Sequence, residues 1–289
     1  MEVSCRTVGL SVSTYYAIRN RRTNPSARHR RDRELVAVIR RIWEDSHRLY
    51  GARKVWAALH RQGVTVGRCT VERLMRSEAM TGLVTRSRRP RSMLPGQVEG
   101  QPGDLVERVF RAPRPNQLWV TDLTYVRLGE SRFVYSALVV DAFSRAIVGW
   151  QVSDTADTSL ALDALDMALW ARRSRLSPGL VAHSDRGVQY TALRYSQRLS
   201  RSGIARSIGR RGDSYDNAPA ESVYALYKKE LIYRKGPWKG VADVRAATAE
   251  WIHWYNHHRL HSWCGNRPPL EYEQRNRRQA MAADGRERH

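Results

Sequence analysis

The sequence predicts an α/β fold, a mixed five-stranded sheet flanked by helices, preceded by a small all-α region. Three observations indicate this fold. Apolar residues recur at helical spacing within residues 51–76, β-branched and aromatic runs follow within 118–152, and helical segments then alternate with two short strands. A chain of 289 residues has room for one large domain and one or two small ones.

The composition favours a nucleic acid as the partner. The chain has 50 Lys and Arg against 28 Asp and Glu, a formal net charge of +22, and residues 1–95 alone hold 21 basic against 7 acidic residues. Such a balance suits a long polyanion. The hydrophobic fraction of 42% and nine Trp residues provide a sizeable core, which excludes a disordered basic protein.

The sequence has no feature of a membrane or secreted protein. No apolar run approaches the roughly 18 residues that span a bilayer, and the N-terminus has no apolar signal core. The three cysteines, Cys5, Cys69 and Cys264, stand at unrelated spacings and are expected to be reduced thiols. We therefore expect a cytoplasmic protein that is nucleoid-associated when bound to DNA, with no membrane partner.

Two helix-turn-helix patterns precede the strands. The first, a short remnant within residues 1–30, has Gly9 between two helical segments and Ser11 or Ser13 as a capping residue. The second, within residues 31–84, has helices at 51–61 and 67–76 around a turn at 62–66. Its predicted core consists of Val55, Leu59, Val66, Val71, Leu74 and Met75.

The basic side chains of this region are candidates for DNA contact. The second helix of the pair should direct its polar residues to phosphates or base edges, whereas a solvated basic helix pair is the alternative. Residues 85–114 form a basic, Pro-containing linker that acts either as a phosphate-tracking arm or as a spacer. The expected DNA-binding residues are Arg53, Lys54, Arg68, Thr70, Arg73, Arg76, Arg86, Arg88 and Arg89.

A core domain is predicted at residues 115–235, and its first three strands form a meander. These strands lie at 118–126, 133–140 and 146–152. A helix at 158–173 then leads to a strand at 179–183, and this crossover predicts a parallel neighbour. A fifth strand is predicted at 205–208, and further helices are predicted at 192–201, 219–233 and 241–257. A helical extension at 236–275 and a polar tail at 276–289 follow.

Three carboxylates carry the predicted chemistry. Asp122 interrupts an apolar strand, where an unpaired charge is costly to bury. Asp185 follows the fourth strand, at the sheet edge where sites of α/β folds form. Glu221 lies in the first turns of a helix that begins near Pro219. If the first and fourth strands are neighbours, the two aspartates converge and the helix can bring the glutamate to them.

Crowded carboxylates suit a divalent cation. They would repel one another without one, and Mg²⁺ or Mn²⁺ accepts such hard oxygen ligands. Two ions can assist an in-line phosphoryl displacement. Lys228, seven residues after Glu221, shares its helix face and is expected to place a positive charge beside a DNA phosphate.

The segments Trp119-Val-Thr-Asp-Leu-Thr-Tyr, His183-Ser-Asp-Arg-Gly-Val-Gln-Tyr and Asp216-Asn-Ala-Pro-Ala-Glu-Ser resemble the Asp, Asp and Glu motifs of bacterial insertion-sequence transposases with a retroviral integrase-type, ribonuclease H-like core. The 35 residues between Asp185 and Glu221 match that group. The segments that begin at His47 and at Tyr255 resemble its helix-turn-helix module and C-terminal signature.

This resemblance implies a transposase with Asp122, Asp185 and Glu221 as metal ligands and Lys228 beside the DNA. It implies binding to the terminal inverted repeats of an element and to target DNA, as a homo-oligomer. In such elements the catalytic protein is commonly the product of the second of two overlapping frames, so an upstream-frame protein is an expected fusion or partner. A catalytically silent DNA-binding relic and a plain nuclease of the same fold are the alternatives.

Three other groups of residues have competing interpretations. Asp141 is expected to bond to the backbone of its own turn and not to a metal. The residues His253, His257, His258, His261 and Cys264 suggest a zinc site, but their spacing fits no standard site, and packing or DNA contact is favoured. His183 either orients Asp185 or simply ends its strand.

Overall fold

The computed structural model describes residues 11–83, 105–106, 110–185, 187–209 and 218–286. The chain forms two compact units, Met1–Val84 and Thr85–His289. None of the helices in these described ranges is long and apolar enough to cross a membrane.

The first unit consists of helices. They are α1 (Val12–Thr23), α2 (Ala27–Asp45), α3 (Ala52–Arg61) and α4 (Arg68–Ser77). Ser11 caps α1 by accepting a hydrogen bond from the Thr14 amide at 3.1 Å, as the sequence predicted. The rest of the first predicted helix-turn-helix pattern, at residues 1–10, lies outside the described residues.

Helices α3 and α4 form the predicted second pattern, and α2 packs against both. The six predicted core residues of this pattern are all buried, and α2 adds Leu35, Ile39 and Ile42 to the interior. The Trp56 indole N–H donates to the Val66 carbonyl at 2.8 Å and so ties α3 to the turn before α4. Helix α2 was not predicted as a separate element.

The second unit contains the predicted mixed five-stranded sheet. Its strands are β1 (Leu118–Leu128), β2 (Arg132–Asp141), β3 (Ile147–Ser153), β4 (Val181–Ser184) and β5 (Ala205–Ile208), arranged in the order β3-β2-β1-β4-β5. The first three strands are antiparallel, whereas β1, β4 and β5 are parallel. The predicted meander and parallel crossover are therefore both confirmed.

Helices connect and cover the sheet. They are α5 (Thr158–Arg172), α6 (Val188–Thr191), α7 (Leu193–Arg201), α8 (Ala218–Tyr227), α9 (Val241–His257) and α10 (Pro269–Arg286). Helix α5 lies close to β3 because Gly149 has no side chain there: a Cβ at this position would lie 2.1 Å from the Ala164 carbonyl oxygen. Helix α8 packs on β1 and β2, and its end continues as a π-helical segment, Lys228–Ile232.

Buried polar contacts fix the C-terminal helices to the sheet. The Asn256 side chain of α9 pairs with both backbone groups of Ile147, at 3.0 and 2.8 Å, and so occupies the edge of β3. Glu273 of α10 is fully buried and pairs with Arg172 at 2.6 Å. Helix α10 runs to Arg286, so much of the predicted polar tail is helical.

The described residues of the predicted linker pack on the second unit. The Leu105 amide donates to the Ser207 hydroxyl at 3.0 Å, and Val106 and Phe110 are buried. The ring of Phe110 packs edge-on against His183 of β4, with centroids 5.4 Å apart. This end of the stretch is therefore anchored to β4 and β5.

Candidate active site

The two aspartates lie on neighbouring parallel strands. Asp122 is half-buried in β1, and Asp185 is exposed directly after β4. The register pairs Thr121 with Ser184, so the two aspartates occupy the next position on each strand. The predicted convergence of the two motifs is present in the sheet.

Glu221 lies in the first turn of α8, as the sequence predicted. This helix packs on β1 and β2, and the Glu221 side chain is exposed. Its negative charge acts on Asp122, so all three predicted carboxylates belong to one electrostatic cluster.

The Asp122 carboxyl shows the effect of this crowding. Burial and the charge of Asp185, and to a lesser extent that of Glu221, raise the pKa of Asp122 to about 7. The Leu123 amide, which donates to Asp122 Oδ1 at 2.7 Å, and the charge of Lys228 oppose this rise. Partial shielding of its carboxyl from water raises the pKa of Glu221 as well, although the side chain as a whole is exposed. Asp122 is therefore harder to ionise than an ordinary carboxyl, first because it is buried and then because two carboxylates lie nearby.

The carboxylates do not form a preformed metal cage. Within the described part of the chain, no three His, Cys, Asp or Glu side chains lie so that together they could hold a metal ion. Asp185 Oδ1 accepts a hydrogen bond from the Gly187 amide at 3.0 Å, which orients this side chain after β4. The donor set is nonetheless made of hard oxygen atoms, the type that Mg²⁺ and Mn²⁺ prefer.

Tyr224 connects α8 to the strand of the first aspartate. Its hydroxyl donates to the Asp122 carbonyl oxygen and accepts a hydrogen bond from the Leu138 amide at 2.8 Å. Asp122 and Leu138 are cross-strand partners in β1 and β2. This positioning contact was not predicted from the sequence, because a tyrosine three residues after Glu221 would be interpreted as an ordinary core residue.

Lys228 lies beside the carboxylates, at the start of the π-helical segment. Its Nζ lies 4.7 Å from the centroid of the Tyr125 ring, and its charge acts on Asp122. Partial burial lowers the pKa of Lys228, and Asp122 opposes this shift. A cation thus lies next to the carboxylate cluster, in the region where the sequence predicted a phosphate contact.

Asp141 has the structural role that the sequence favoured. Its Oδ1 accepts a hydrogen bond from the Phe143 amide at 2.9 Å within the turn, and its Oδ2 accepts one from the Asn116 amide at 2.7 Å. Burial, followed by the nearby charge of Glu273, raises the pKa of Asp141 to about 6. One carboxylate oxygen therefore holds the β2–β3 turn, and the other holds the segment that precedes β1.

The histidines and the buried cysteine between residues 253 and 264 contact different neighbours. Cys264 donates its thiol to the Ser144 carbonyl at 3.2 Å, and His261 packs edge-on against Tyr255. His253 and His257 stack on each other, with ring centroids 4.6 Å apart. These contacts favour packing over the zinc interpretation.

His183, which was expected either to orient Asp185 or to end its strand, contacts the neighbouring strand β5. It is fully buried in β4, and its Nδ1 lies 2.9 Å from the Ser207 hydroxyl of β5. The contact joins two parallel strands below the site.

The predicted DNA-binding residues of α4 differ in their contacts. Arg73 reaches both carboxylate oxygens of Asp32 at 2.9 Å, and Arg68 pairs with Glu72 at 3.0 Å. Arg76 is exposed and Thr70 is half-buried. Arg73 is therefore partly committed to a surface ion pair with α2, because Asp32 belongs to that helix.

Of the other candidates, Arg53 is exposed on α3, and the Nζ of Lys54 lies 5.1 Å from the centroid of the Tyr50 ring. The remaining three, Arg86, Arg88 and Arg89, lie outside the described residues.

Family models match both units of the chain. An HTH-like domain model matches residues 29–91, and two integrase core domain models match residues 112–214 and 202–269. The matches agree with the observed helices and mixed sheet. The predicted integrase-core, ribonuclease H-like fold with a preceding helix-turn-helix region is confirmed.

One solved structure with a similar fold is the HTLV-2 integrase catalytic core domain in complex with magnesium. It is 14% identical, covers 56% of this chain and 99% of its own, and superposes with a TM-score of 0.44.

Relatives of known name match nearly the whole chain. A Mycobacterium tuberculosis protein named as a transposase for insertion sequence element IS986/IS6110 is 46% identical over 91% of this chain and 95% of its own length. The transposase for IS629 of Shigella sonnei is 46% identical over 93% of this chain and 90% of its own. Transposase InsF for IS3A of Escherichia coli is 33% identical over 96% of this chain and 94% of its own length. The chain therefore belongs to the family of insertion-sequence transposases.

Proposed function

We propose that this chain is a transposase of the DDE type, in which Asp122, Asp185 and Glu221 hold divalent metal for cutting and joining insertion-sequence DNA. The observation that supports this most directly is the placement of Asp122 and Asp185 at adjacent positions of two parallel strands. Glu221 acts electrostatically on the same cluster from α8.

The donor set fits Mg²⁺ or Mn²⁺, and two ions are the expected number. These carboxylates are hard oxygen ligands, and the charges of Asp185 and Glu221 disfavour the ionised form of Asp122, so a cation would relieve this repulsion. When bound, such ions supply Lewis acidity toward a phosphodiester. Glu221 is exposed, so we expect its side chain to move toward the aspartates when a cation binds.

The protein side chains position the DNA for an in-line displacement. During cleavage, water attacks the phosphodiester and the DNA 3′ oxygen leaves as a hydroxyl. During strand transfer, this 3′-hydroxyl attacks a second phosphodiester, whose own 3′ oxygen leaves, and neither step forms a covalent protein intermediate. Lys228, next to Asp122, contacts the phosphate and offsets part of its charge. Tyr224 holds β1 against α8, which keeps Asp122 near Glu221.

Element-end recognition is proposed for the first unit. Residues 1–95 have 21 basic and 7 acidic residues, and the exposed Arg53, Arg68 and Arg76 can meet phosphates. The DNA partners are the terminal inverted repeats and the target, and we infer that the protein acts on them as a homo-oligomer. An upstream-frame protein stays a prediction from the resemblance.

An assay that scores cut and joined DNA separately tests this function. With element-end DNA and Mn²⁺, the wild-type chain should give both products, and Asp122→Asn should give neither. Asp163→Asn is the matched control, because Asp163 is an exposed carboxylate on α5. Cut but unjoined DNA from the wild type would indicate a plain nuclease. Intact DNA in every reaction would indicate a silent relic.

A further inference from the structure

Two large aromatic side chains are exposed near the turn of the β1–β2 hairpin. Tyr125 is 58% exposed and Phe133 is 40% exposed. Their rings meet edge to face, with centroids 5.5 Å apart and an interplanar angle of 89°. They are diagonal neighbours across the two strands, since Tyr125 pairs with Tyr135 and Arg127 with Phe133. We call these two residues the hairpin aromatic pair.

The pair lies next to the carboxylate cluster. Tyr125 is three residues beyond Asp122 on β1, about 10 Å along an extended strand, and the alternation of the strand directs the two side chains to opposite faces of the sheet. Lys228 links the two features directly. Its Nζ lies 4.7 Å from the Tyr125 ring centroid, and its charge acts on Asp122.

The surroundings of the pair are basic. Arg127 and Arg132 are exposed on the two strands, and Lys228 covers part of Tyr125. The acidic residue of the turn, Glu130, uses its carbonyl oxygen to accept a hydrogen bond from Arg127 at 2.6 Å. Lys228 therefore contacts one ring, Arg127 is the cross-strand partner of Phe133, and Arg132 precedes Phe133 with its side chain on the other face. The described residues leave the two rings largely open to solvent.

Exposed aromatics among cations suit an unpaired DNA base. Proteins that bind single-stranded nucleic acid stack bases on aromatic rings and hold the phosphates with nearby Lys and Arg. A purely apolar protein partner would gain nothing from the adjacent cations, whereas a polyanion would. Because β4 pairs with β1 only as far as Thr121, a strand whose phosphodiester lies at Asp122 can pass this edge of β1 and reach Tyr125 within a few nucleotides.

We propose that the hairpin aromatic pair stacks an unpaired base of the DNA strand that the carboxylates process. The proposal rests on the proposed function, because it takes the processed strand to lie at Asp122 and Asp185. The stacked base would keep the two DNA strands apart near the site. It would also cover two aromatic rings that are otherwise exposed.

Binding of a fluorescent DNA tests this contact without any cleavage. The probe is a short duplex with a single-stranded 3′ overhang that contains 2-aminopurine, whose fluorescence falls when it stacks on an aromatic ring. The full chain is used in Ca²⁺ buffer. Wild type should quench the overhang signal, and the double variant Tyr125→Ala, Phe133→Ala should not. The affinity of the double variant for the overhang DNA should fall about tenfold more than its affinity for a blunt duplex.

Two controls identify the ring contact. Tyr125→Phe keeps the ring and should quench like wild type. Trp170→Ala removes an aromatic residue that is 69% exposed on α5 and has Arg173 stacked on it at 4.5 Å, so it matches the chemistry at another place. It should also quench like wild type. If the double variant unfolds, Tyr125→Leu provides the same comparison with the apolar volume retained.

The outcomes separate this inference from the proposed function. If the double variant or Tyr125→Leu quenched the probe as strongly as the wild type, the stacking contact would be overturned. The proposed function would stand in that case if the wild type cut and joined DNA. Loss of quenching in Trp170→Ala to the same degree would also overturn the stacking contact. A wild type that quenches the probe but cannot cut or join DNA in Mn²⁺ would contradict the proposed function and leave the stacking contact supported.

Discussion

Tyr224 illustrates what one hydroxyl contributes next to a candidate catalytic carboxylate. Glu221 and Tyr224 are one helical turn apart on α8, so the helix that brings the third carboxylate also bonds to the backbone of the first. The hydroxyl contacts both strands at the Asp122–Leu138 pair. Small shifts of α8 would therefore change the spacing between Asp122 and Glu221.

Replacing Tyr224 with Phe should impair metal use more than folding. The variant keeps the buried ring, but the Leu138 amide and the Asp122 carbonyl each lose a hydrogen bond to the hydroxyl. This loss should lower the free energy of unfolding by about 1–3 kcal/mol. We expect a higher Mn²⁺ concentration for half-maximal cleavage. A metal titration of the cleavage rate, together with a melting curve, measures both effects.

Tyr227→Phe is the matched control for that variant. Its hydroxyl is also buried on α8, but it bonds to Thr248 of α9 at 2.8 Å and not to β1. Loss of this bond should lower the melting temperature and leave the Mn²⁺ requirement unchanged. An equal metal requirement in the two variants would show that Tyr224 has only a packing role.

At the residue scale, the sequence predicted positions whose chemistry is unusual for their surroundings. Asp122 was recognised because a charge interrupts an apolar strand, and Asp141 because its turn offers backbone amides. The hydroxyl contact of Tyr224 and the exposure of Tyr125 could not be predicted in this way. Aromatic residues at helical or strand spacing are usual in a core, and which neighbour they contact depends on the packing of distant elements.

At the scale of elements, helix α10 is held by a charge buried in the core. Glu273 is fully buried, pairs with Arg172 through two hydrogen bonds of 2.6 and 3.0 Å, and accepts a third from the Ser144 hydroxyl at 2.6 Å. Removal of one partner from such a pair leaves a buried charge uncompensated. The last helix is therefore part of the sheet domain.

Glu273→Gln should destabilise the second unit strongly. It leaves Arg172 charged in the interior, which costs about 3–5 kcal/mol. Denaturant unfolding followed by tryptophan fluorescence measures the change. Glu271→Gln, on the same helix, alters a partly exposed ion pair with Arg267 at 3.7 Å and should cost less than about 1 kcal/mol. Equal losses in both variants would contradict the importance of the buried pair.

The strands could be predicted from the sequence more completely than two of the helices. Runs of β-branched and aromatic residues mark β1, β2 and β3 to within about two residues. Helix α2 was missed because its buried side chains, Leu35, Ile39 and Ile42, are few among many arginines. The second half of α10 consists largely of polar residues, and no apolar face indicates a helix there.

At the scale of the whole molecule, positive charge is concentrated in the N-terminal part of the chain. We expect Arg53, Arg68 and Arg76 to neutralise phosphates in the first unit, so the full chain with all three changed to Ala should show a weaker salt dependence of binding. The slope of log affinity against log salt should fall by up to about three. Binding to an element-end duplex at several salt concentrations measures this slope.

Arg201→Ala provides the comparison for these arginines. Arg201 is exposed on α7 in the second unit, and its loss should change the salt slope little. An unchanged slope in the triple variant, or an equal fall in Arg201→Ala, would contradict the proposed division of DNA binding between the units.

The central claim is that Asp122, Asp185 and Glu221 hold a divalent ion, and a melting series in Mn²⁺ tests it most directly. Binding to the native state alone stabilises by about 2.7 kcal/mol at one hundred times the dissociation constant, so the melting temperature should rise by about 5 °C or more. The exposed-carboxylate control Asp163→Asn should rise equally. The rise should be much smaller in Asp122→Asn, which loses a ligand and little volume. Equal rises in wild type and Asp122→Asn would show that the ion binds elsewhere and would contradict the three-carboxylate site.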